Sequence, residues 1–459
     1  MNASRVLRMT AFAVAVLLGG SALASSPALV VEVETGRVLH AERATDPWYP
    51  ASVTKLMTAY VALDLIRTGR MNMETLLTVS EAAAAQPPSK MGFKPGTQIR
   101  LDNALKIMMV KSANDVAATI AENIGGSIDG FSELMNAHAR RLGMNDSHFA
   151  NPHGLPDERN QTTARDMAIL ARALLLEFPE HEDLFHIGAV QFGRRIMRNT
   201  NGLIGRYPGA NGMKTGFICS SGFNVVASAT RNGRSLITVV FGAPSANERT
   251  MKAAELFDRG FNSTVNFTNP VLTALPASAS HTPPDMRSVI CDRRGPMPKE
   301  EDSPTTVADE NTNIGVPNLF SSGVMAFAGG TAKPMRTTLG PRSAVQPERV
   351  WVGLMPPSEA ELAAEAAREK AEEEARKAKK KKAAPAKKDA KSAAAKADDA
   401  EETGDDAADK KTQAQGKGEP RSSVSLKPVS GEGKNASKAG GKPQPQKADA
   451  STKSKSSKN

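Results

Sequence analysis

Two side chains near the N-terminus have the types and spacing needed for nucleophilic catalysis. Ser52 and Lys55 stand three positions apart at the start of a predicted buried helix, so they share one helical face about one turn apart. Burial disfavours the ammonium form of lysine, and a neutral amine can take the serine proton and activate the hydroxyl. The helix N-terminus also directs backbone N–H groups to where an oxyanion would form. Alone, Ser-x-x-Lys is a weak signal, because chance produces it about once or twice in a chain of this size.

Two further groups could complete such a site. Ser112 and Asn114, between two predicted helices, offer a hydroxyl to relay protons and an amide to hold a substrate peptide bond. Lys214 and Thr215, on a predicted strand, can receive a substrate carboxylate, and Gly216 lets a ligand approach the backbone closely. Each group taken singly is also explained as a helix entry, a surface charge or a turn. Together, in this order on helix start, interhelical loop and strand, they form the combination found in class A β-lactamases and penicillin-binding proteins.

The elements that must position these groups follow from the apolar pattern. Residues 28–41 predict a β-hairpin, and residues 52–65 predict a helix buried on nearly all sides. Residues 72–177 are expected to be mainly helical, and an Asn232-Gly233 turn separates two of the later strands. The helices are predicted at 102–111, 115–123, 128–142, 163–177 and 247–261, and the strands at 211–219, 222–229 and 235–242. The predicted fold class is α+β, an antiparallel sheet flanked by helices with an all-α subdomain.

The motifs of the chain resemble those of a known family. It is similar to the low-molecular-weight penicillin-binding proteins, specifically the serine-type D-alanyl-D-alanine carboxypeptidases of peptidase family S11, over about residues 27–262. The resemblance is carried by four motifs in register: Tyr49-Pro50-Ala51-Ser52-Val53-Thr54-Lys55, Lys111-Ser112-Ala113-Asn114-Asp115, Asn151-Pro152-His153-Gly154-Leu155-Pro156 and Gly212-Met213-Lys214-Thr215-Gly216. It implies a β-lactamase/transpeptidase-like fold and removal of the terminal D-alanine from peptidoglycan stem pentapeptides, in cell-wall remodelling and cell-shape maintenance.

The resemblance also implies a role for each site residue. Ser52 would be the acylated nucleophile and Lys55 the general base, with Ser112 and Asn114 as the second catalytic group. The substrate-binding residues would be Lys214, Thr215, Gly216, Phe217 and Arg249, with the backbone N–H groups of Ser52 and Phe217 forming the oxyanion hole. Peptidoglycan stem peptides would be the substrates and β-lactam antibiotics covalent acylating inhibitors, with no metal or cofactor required.

Several alternatives stay open at the level of sequence. A D-alanyl endopeptidase that cleaves peptidoglycan cross-links would use the same residues, and a non-catalytic wall-binding protein could keep the fold. A fast β-lactamase is disfavoured, because residues 149–155 lack the Glu-x-x-Leu-Asn glutamate that activates deacylating water in class A. His153 is interpreted as structural, since the Ser/Lys pair already supplies nucleophile and base. Whether Cys219 and Cys291 pair is left open, and thiol catalysis at Cys219 would need a histidine partner.

The two ends of the chain differ in composition from the middle. Residues 1–24 have a basic start with Arg5 and Arg8, a short apolar run and an Ala22-Leu23-Ala24 cleavage pattern, which predicts a signal peptide. We therefore expect a periplasmic protein, at most peripheral at the inner membrane. The further boundaries predicted are a catalytic domain over 25–264, a linker or small β module over 265–358, a charged helix-prone segment over 359–382 and a disordered tail over 383–459.

Most of the basic charge lies in the tail. Residues 361–459 hold 24 Lys/Arg and 17 Asp/Glu, a net +7 of the chain's +10. Such a tail could contact anionic lipid or cell-wall carboxylates weakly and with salt dependence, but it has no apolar face to insert into a bilayer. Nucleic acid is an implausible partner for an exported protein. Two cysteines and no His-Glu-x-x-His run give a zinc enzyme little support.

Overall fold

A computed structural model of the chain describes residues 26–293, 295–298, 300, 306–307 and 339–382. The predicted signal peptide over residues 1–24 and the predicted tail over residues 383–459 lie outside these residues. Residue contacts divide the chain into a unit Met1–Ala383 and a unit Ala384–Asn459, and the second lies wholly outside the described residues. Every element below belongs to the first unit.

The centre of the fold is a five-stranded antiparallel sheet. Its strands are β1 Ala28–Glu32, β2 Val38–Glu42, β7 Ala210–Ile218, β8 Gly222–Arg231 and β9 Arg234–Ala243. Their order across the sheet is β2-β1-β9-β8-β7. Asn232 and Gly233 connect the last two strands with φ angles of 51° and 76°, the left-handed backbone that a two-residue hairpin turn of this kind needs. The predicted N-terminal hairpin and the three later strands are confirmed.

The described residues before 264 form eight α-helices. They are α1 Lys55–Arg67, α2 Glu81–Ala84, α3 Leu101–Lys111, α4 Asn114–Gly125, α5 Ile128–Leu142, α6 Ala164–Glu177, α7 Asp183–His186 and α8 Ala246–Asn262. Several begin at the capping residues that the sequence favours: the Ser127, Thr163 and Ser245 side chains accept hydrogen bonds from the first turns of α5, α6 and α8. The five predicted helices after residue 100 are confirmed within two residues at each end.

Side chains alternate between two apolar layers along the central strands. On β9, Leu236 and Val240 join a core cluster with Leu256 of α8, whereas Ile237 and Val239 join the larger core formed with α1 and α6. This alternation is the period of two expected of a strand covered on both faces. The sheet therefore separates α8 from the helical subdomain, as the predicted α+β architecture requires.

The region expected to be mainly helical also contains strands, and that part of the prediction was incomplete. Strands β3 Leu76–Thr78 and β4 Gln98–Arg100 form a separate antiparallel pair within residues 72–177. A second unpredicted pair, β5 Ala189–Phe192 and β6 Arg195–Arg198, follows α7. Each strand has only three or four residues, too few for its apolar period to stand out in the sequence.

The described residues beyond 264 pair with and pack against elements that precede them in the chain. Strands β10 Thr306–Val307 and β11 Glu348–Arg349 extend the β5–β6 pair into a four-stranded sheet of order β10-β6-β5-β11. A short helix, α9 Arg287–Ile290, packs its buried Ile290 beside Phe223 of β8. The described parts of this segment thus add strands to elements of the domain before them.

The charged segment after residue 358 is a helix, α10 Glu359–Lys382. Ser358 and Glu361 form a capping box at its start: the Ser358 backbone N–H donates to Glu361 Oε2 at 2.8 Å, and Ser358 Oγ accepts from the Glu361 N–H at 3.3 Å. Among the described residues, no helix combines the length and apolarity needed to cross a bilayer.

Candidate active site

Ser52 lies on a tight turn that opens helix α1. Residues Ala51–Thr54 form one turn of 3₁₀ helix that runs directly into α1. Ala51, with φ of 50°, has a left-handed backbone that is uncommon for a residue with a side chain. Ser52 is partly exposed while Ala51 and Val53 on either side of it are buried. The turn therefore leaves the serine hydroxyl accessible at the edge of a packed core.

The Lys55 ammonium is fully buried one turn into the helix. Its Nζ lies 3.1 Å from Ser52 Oγ, 2.8 Å from Asn114 Oδ1 and 3.0 Å from the His153 carbonyl oxygen. Burial lowers the pKa of Lys55 well below the usual value, and the positive charge of Lys214 lowers it further. The arrangement favours a neutral amine within reach of the serine proton.

Ser112 and Asn114 lie at the junction of α3 and α4, from which Asn114 reaches the Lys55 amine. Ser112 ends α3 with φ of 60°, and its buried Oγ has no hydrogen-bond partner among the described residues. Asn114 begins α4 and is held by both ends of its amide, because Nδ2 donates to the Pro87 carbonyl at 3.0 Å while Oδ1 faces Lys55. A buried hydroxyl without a partner costs free energy, so Ser112 Oγ is suited to form a hydrogen bond with a bound ligand.

Strand β7 lies against the Ser52 turn at Gly216. A Cβ added to Gly216 would sit 2.7 Å from the Ser52 nitrogen, 3.0 Å from the Val53 nitrogen and 3.1 Å from the Pro50 carbonyl oxygen. All three atoms belong to the backbone, so no side chain can move aside. Only glycine allows this close approach, which brings the next residue, Phe217, beside the serine turn.

Side chains that the sequence predicts to bind a carboxylate lie near one another on β7 and α8. Lys214 is 1% exposed and Arg249, on α8, is 0% exposed. Thr200 Oγ1 and Thr215 Oγ1 are hydrogen-bonded at 2.8 Å, and Arg249 Nη2 lies 3.4 Å from the Thr200 carbonyl oxygen. Burial lowers the pKa of Lys214 to about 8, with the Glu300 carboxylate opposing this shift and the Arg249 charge adding to it. Two buried cations at one place are suited to binding an anion.

The His153 segment is a wall of the site. Its carbonyl oxygen accepts from Lys55, and its ring Nδ1 accepts from the Leu155 N–H at 3.2 Å. Burial, together with the charge of Lys55, lowers the pKa of the ring to about 3, so the imidazole is neutral near pH 7. Gly154, with φ of 76°, packs so closely on the turn that a Cβ would sit 1.8 Å from the Ala51 carbonyl oxygen.

Sequence reasoning missed three residues that shape the site. Asp115 is buried and accepts from the backbone N–H groups of Met91 and Gly92, the latter at 2.8 Å, which fixes the loop that holds Asn114. Thr200 and Glu300 approach Arg249 from segments distant in the sequence. Asp115 directly follows the Ser112 to Asn114 group, so its position was a usable signal; no sequence pattern marks the other two.

Cys219 and Cys291 form a disulfide in the structure, with their Cα atoms 5.6 Å apart. This answers the question that the sequence left open, and it gives Cys219 a structural explanation. Among the described residues, no three His, Cys, Asp or Glu side chains are grouped as metal ligands would be.

Comparison with known proteins places the chain in a family. The sequence model of the D-alanyl-D-alanine carboxypeptidases, peptidase family S11, matches residues 13–245. The chain is 32% identical over 238 residues to the D-alanyl-D-alanine carboxypeptidase DacA of Haemophilus influenzae and 33% identical over 241 residues to DacF of Bacillus subtilis. Each match covers 51% of this chain and 61% of the relative, less than two thirds of its length. A match to DacB2 of Mycobacterium tuberculosis, at 31% identity, covers 51% of this chain and 81% of the relative.

Solved structures agree with the predicted fold. Penicillin binding protein 5 of Haemophilus influenzae is similar with a TM-score of 0.50 and 31% identity, over 52% of this chain and 71% of that one. Penicillin binding protein 6B of Escherichia coli has the same TM-score and identity, over 53% of this chain and 80% of that one. The predicted β-lactamase/transpeptidase-like fold is confirmed by these likenesses. With its matched segment spanning half of its length, the chain belongs to the D-alanyl-D-alanine carboxypeptidase family, peptidase family S11.

Proposed function

We propose that this protein is a serine DD-peptidase that removes the terminal D-alanine from peptidoglycan stem peptides through an acyl-serine intermediate. The observation that carries the proposal is the buried Lys55 Nζ at 3.1 Å from Ser52 Oγ. A desolvated lysine beside a hydroxyl on a helix start is an activated nucleophile, and membership of the carboxypeptidase family supplies the substrate class.

In the acylation step, Ser52 Oγ attacks the carbonyl carbon of the bond between the last two D-alanines. Lys55 Nζ accepts the hydroxyl proton, and the developing oxyanion is held by the backbone N–H groups of Ser52 and Phe217. The carbon–nitrogen bond then breaks, and D-alanine leaves after its nitrogen receives a proton relayed through Ser112. Water hydrolyses the ester, which returns Ser52 and releases the shortened peptide.

Substrate orientation comes from the second and third groups of residues. Asn114 would hold the peptide bond before the scissile one, while Lys214, Thr215 and Arg249 would bind the terminal carboxylate. Because Lys214 and Arg249 are both buried, that interaction is little screened by solvent.

The cellular setting is part of the same proposal. A cleaved signal peptide would deliver the protein to the periplasm, where its peptidase activity would serve wall remodelling and cell shape. The related penicillin binding protein 5 is named for binding penicillin, so we propose that β-lactams acylate Ser52. Weak contact of the basic tail with anionic lipid or wall polymers stays a prediction.

The test is the intact mass of the purified protein after brief exposure to benzylpenicillin. We expect one stable drug adduct on the wild-type protein and on Ser343→Ala, whose side chain is exposed, and none on Ser52→Ala. Release of D-alanine from a stem pentapeptide should follow the same pattern. A folded wild-type protein without an adduct would contradict the proposal, and rapid loss of the adduct with drug hydrolysis would identify a β-lactamase.

We also expect the carboxypeptidase rate to depend on the charge of Lys214. A buried lysine whose pKa is lowered to about 8 carries its charge below that pH and loses it as the pH rises. The value of kcat/KM for a peptide with a free terminal carboxylate should therefore fall above about pH 8, since it reports ionisation of the free enzyme. Arg249 remains charged, so the fall should level off instead of continuing to zero.

The matched control for this pH dependence is Lys214→Arg. Because a guanidinium stays protonated, the fall in kcat/KM should move to higher pH or disappear in that variant. Rates should be compared from pH 6 to 10 with circular dichroism at each pH to verify folding. If kcat/KM of Lys214→Arg still falls above about pH 8, that fall is due to the ionisation of a different group.

A further inference from the structure

Residues 286–291, which follow the family match over residues 13–245, are attached beside the candidate carboxylate site. The Met286 N–H donates to the Ser220 carbonyl at 3.0 Å, and the disulfide joins Cys291 to Cys219, three residues after Gly216. Ile290 is 2% exposed and packs in a core cluster with Phe223. Backbone, covalent and apolar contacts thus all fix this segment at the β7–β8 turn.

A carboxylate from farther along the chain, that of Glu300, lies at the buried cations. Glu300 Oε1 is itself buried and lies 3.6 Å from Arg249 Nη1, in an ion pair whose arginine is 0% exposed. The charge of Glu300 raises the pKa of Lys214 and of Lys55, against the larger lowering by burial. One glutamate therefore acts on all three basic side chains of the site, although it is nine residues from the nearest disulfide cysteine and 51 from Arg249.

We propose that Glu300 is an internal competitor for the substrate's terminal carboxylate, held over Arg249 and Lys214 by the Cys219–Cys291 strap. This inference rests on the proposed function, which gives those two cations to the substrate. A free carboxylate must exchange with that of Glu300 to reach Arg249, so the ion pair lowers the apparent affinity for carboxylate-ended peptides. A ligand without a terminal carboxylate does not compete with Glu300 for Arg249, so its affinity does not depend on the ion pair. Glu300 thereby sets the substrate specificity of the site.

Exchange, rather than permanent closure, is favoured by the geometry. At 3.6 Å the contact is longer than a hydrogen bond, and the Glu300 side chain keeps 20% of its surface exposed. Partly exposed ion pairs contribute little stability, whereas a substrate carboxylate fully enclosed between Lys214 and Arg249 would be desolvated and bound more strongly.

The test compares the wild-type protein with Glu300→Gln, which keeps the size of the side chain and removes its charge. For a peptide ending in D-alanyl-D-alanine, assayed at pH 6 so that Lys214 keeps its charge without Glu300, we expect KM to fall by up to about fivefold. For the same peptide with its terminal carboxylate amidated, KM should be the same in both proteins. Glu348→Gln, a change in a half-exposed pair with Lys106 far along the chain, is the matched control and should leave both KM values unchanged.

A second variant tests the strap. Cys219→Ser with Cys291→Ser should lower KM for the carboxylate-ended peptide in the same direction, and adding Glu300→Gln to it should give less than the product of the two separate effects. A KM that is unchanged or raised in Glu300→Gln, or lowered equally for the amidated peptide, would overturn the inference.

Failure of the inference can be told apart from failure of the proposed function. Both the wild-type protein and Glu300→Gln should form the benzylpenicillin adduct at Ser52. An adduct on both proteins with unchanged KM overturns the role of Glu300 alone. Absence of an adduct from both overturns the proposed function and, with it, the inference that rests on it.

Discussion

Lys55→Ala should be acylated by benzylpenicillin on the order of 10² to 10⁴ times more slowly than the wild-type protein, the usual contribution of a positioned general base. The Lys55 amine is the group within 3.1 Å of Ser52 Oγ that can accept its proton, and burial keeps the pKa of that amine low. Removing it leaves an unactivated hydroxyl, which is a weak nucleophile near pH 7. Stopped-flow or quenched mass measurements of adduct formation give the rate directly.

The control for this loss separates chemistry from stability. Lys94 is exposed, so Lys94→Ala removes the same side chain from a place without a role in the site and should be acylated at the wild-type rate. Thermal unfolding of Lys55→Ala should show that the variant is folded at the assay temperature. Acylation of a folded Lys55→Ala within tenfold of wild type would remove Lys55 from the role of base.

Gly216→Ala should reduce acylation by on the order of 10²-fold or more, although the substitution adds one methyl group. That methyl would sit 2.7 Å from the Ser52 nitrogen and 3.1 Å from the Pro50 carbonyl oxygen, closer than real Cβ atoms approach backbone. Strand β7 and the serine turn must therefore move apart, which misplaces the N–H groups of Ser52 and Phe217 that would bind the oxyanion. Loss of one such donor, or a shift of about 1 Å, costs on the order of 10²-fold in rate.

Gly340→Ala is the matched control, because a Cβ at Gly340 meets nothing within 4 Å and its backbone is outside the left-handed region. That variant should react like wild type, and the melting temperatures of both variants should be measured beside the rates. If Gly216→Ala is acylated at the wild-type rate, the close approach of β7 to the Ser52 turn is not needed for acylation.

The sequence by itself determined much of the proposed catalytic centre. Ser52 and Lys55 are three positions apart in a helical turn, so local helix geometry places them within reach of each other whatever surrounds them. The N-terminal hairpin, the Asn232-Gly233 turn and the major helices were likewise predicted, because their apolar periods and capping residues act over short stretches of chain. Motif order, together with these elements, was sufficient to indicate the family.

Only the tertiary structure decided which groups from distant segments meet. It places Asn114 Oδ1 and the His153 carbonyl oxygen on Lys55, Thr200 beside Arg249, and Glu300 over the buried cations. It also pairs Cys219 with Cys291 and extends the β5–β6 pair with strands from residues beyond 300. A pattern in the sequence records the local preferences of each segment. Contacts between segments depend on the packing of the whole core, where burial and desolvation set both the partners and the pKa values of the site.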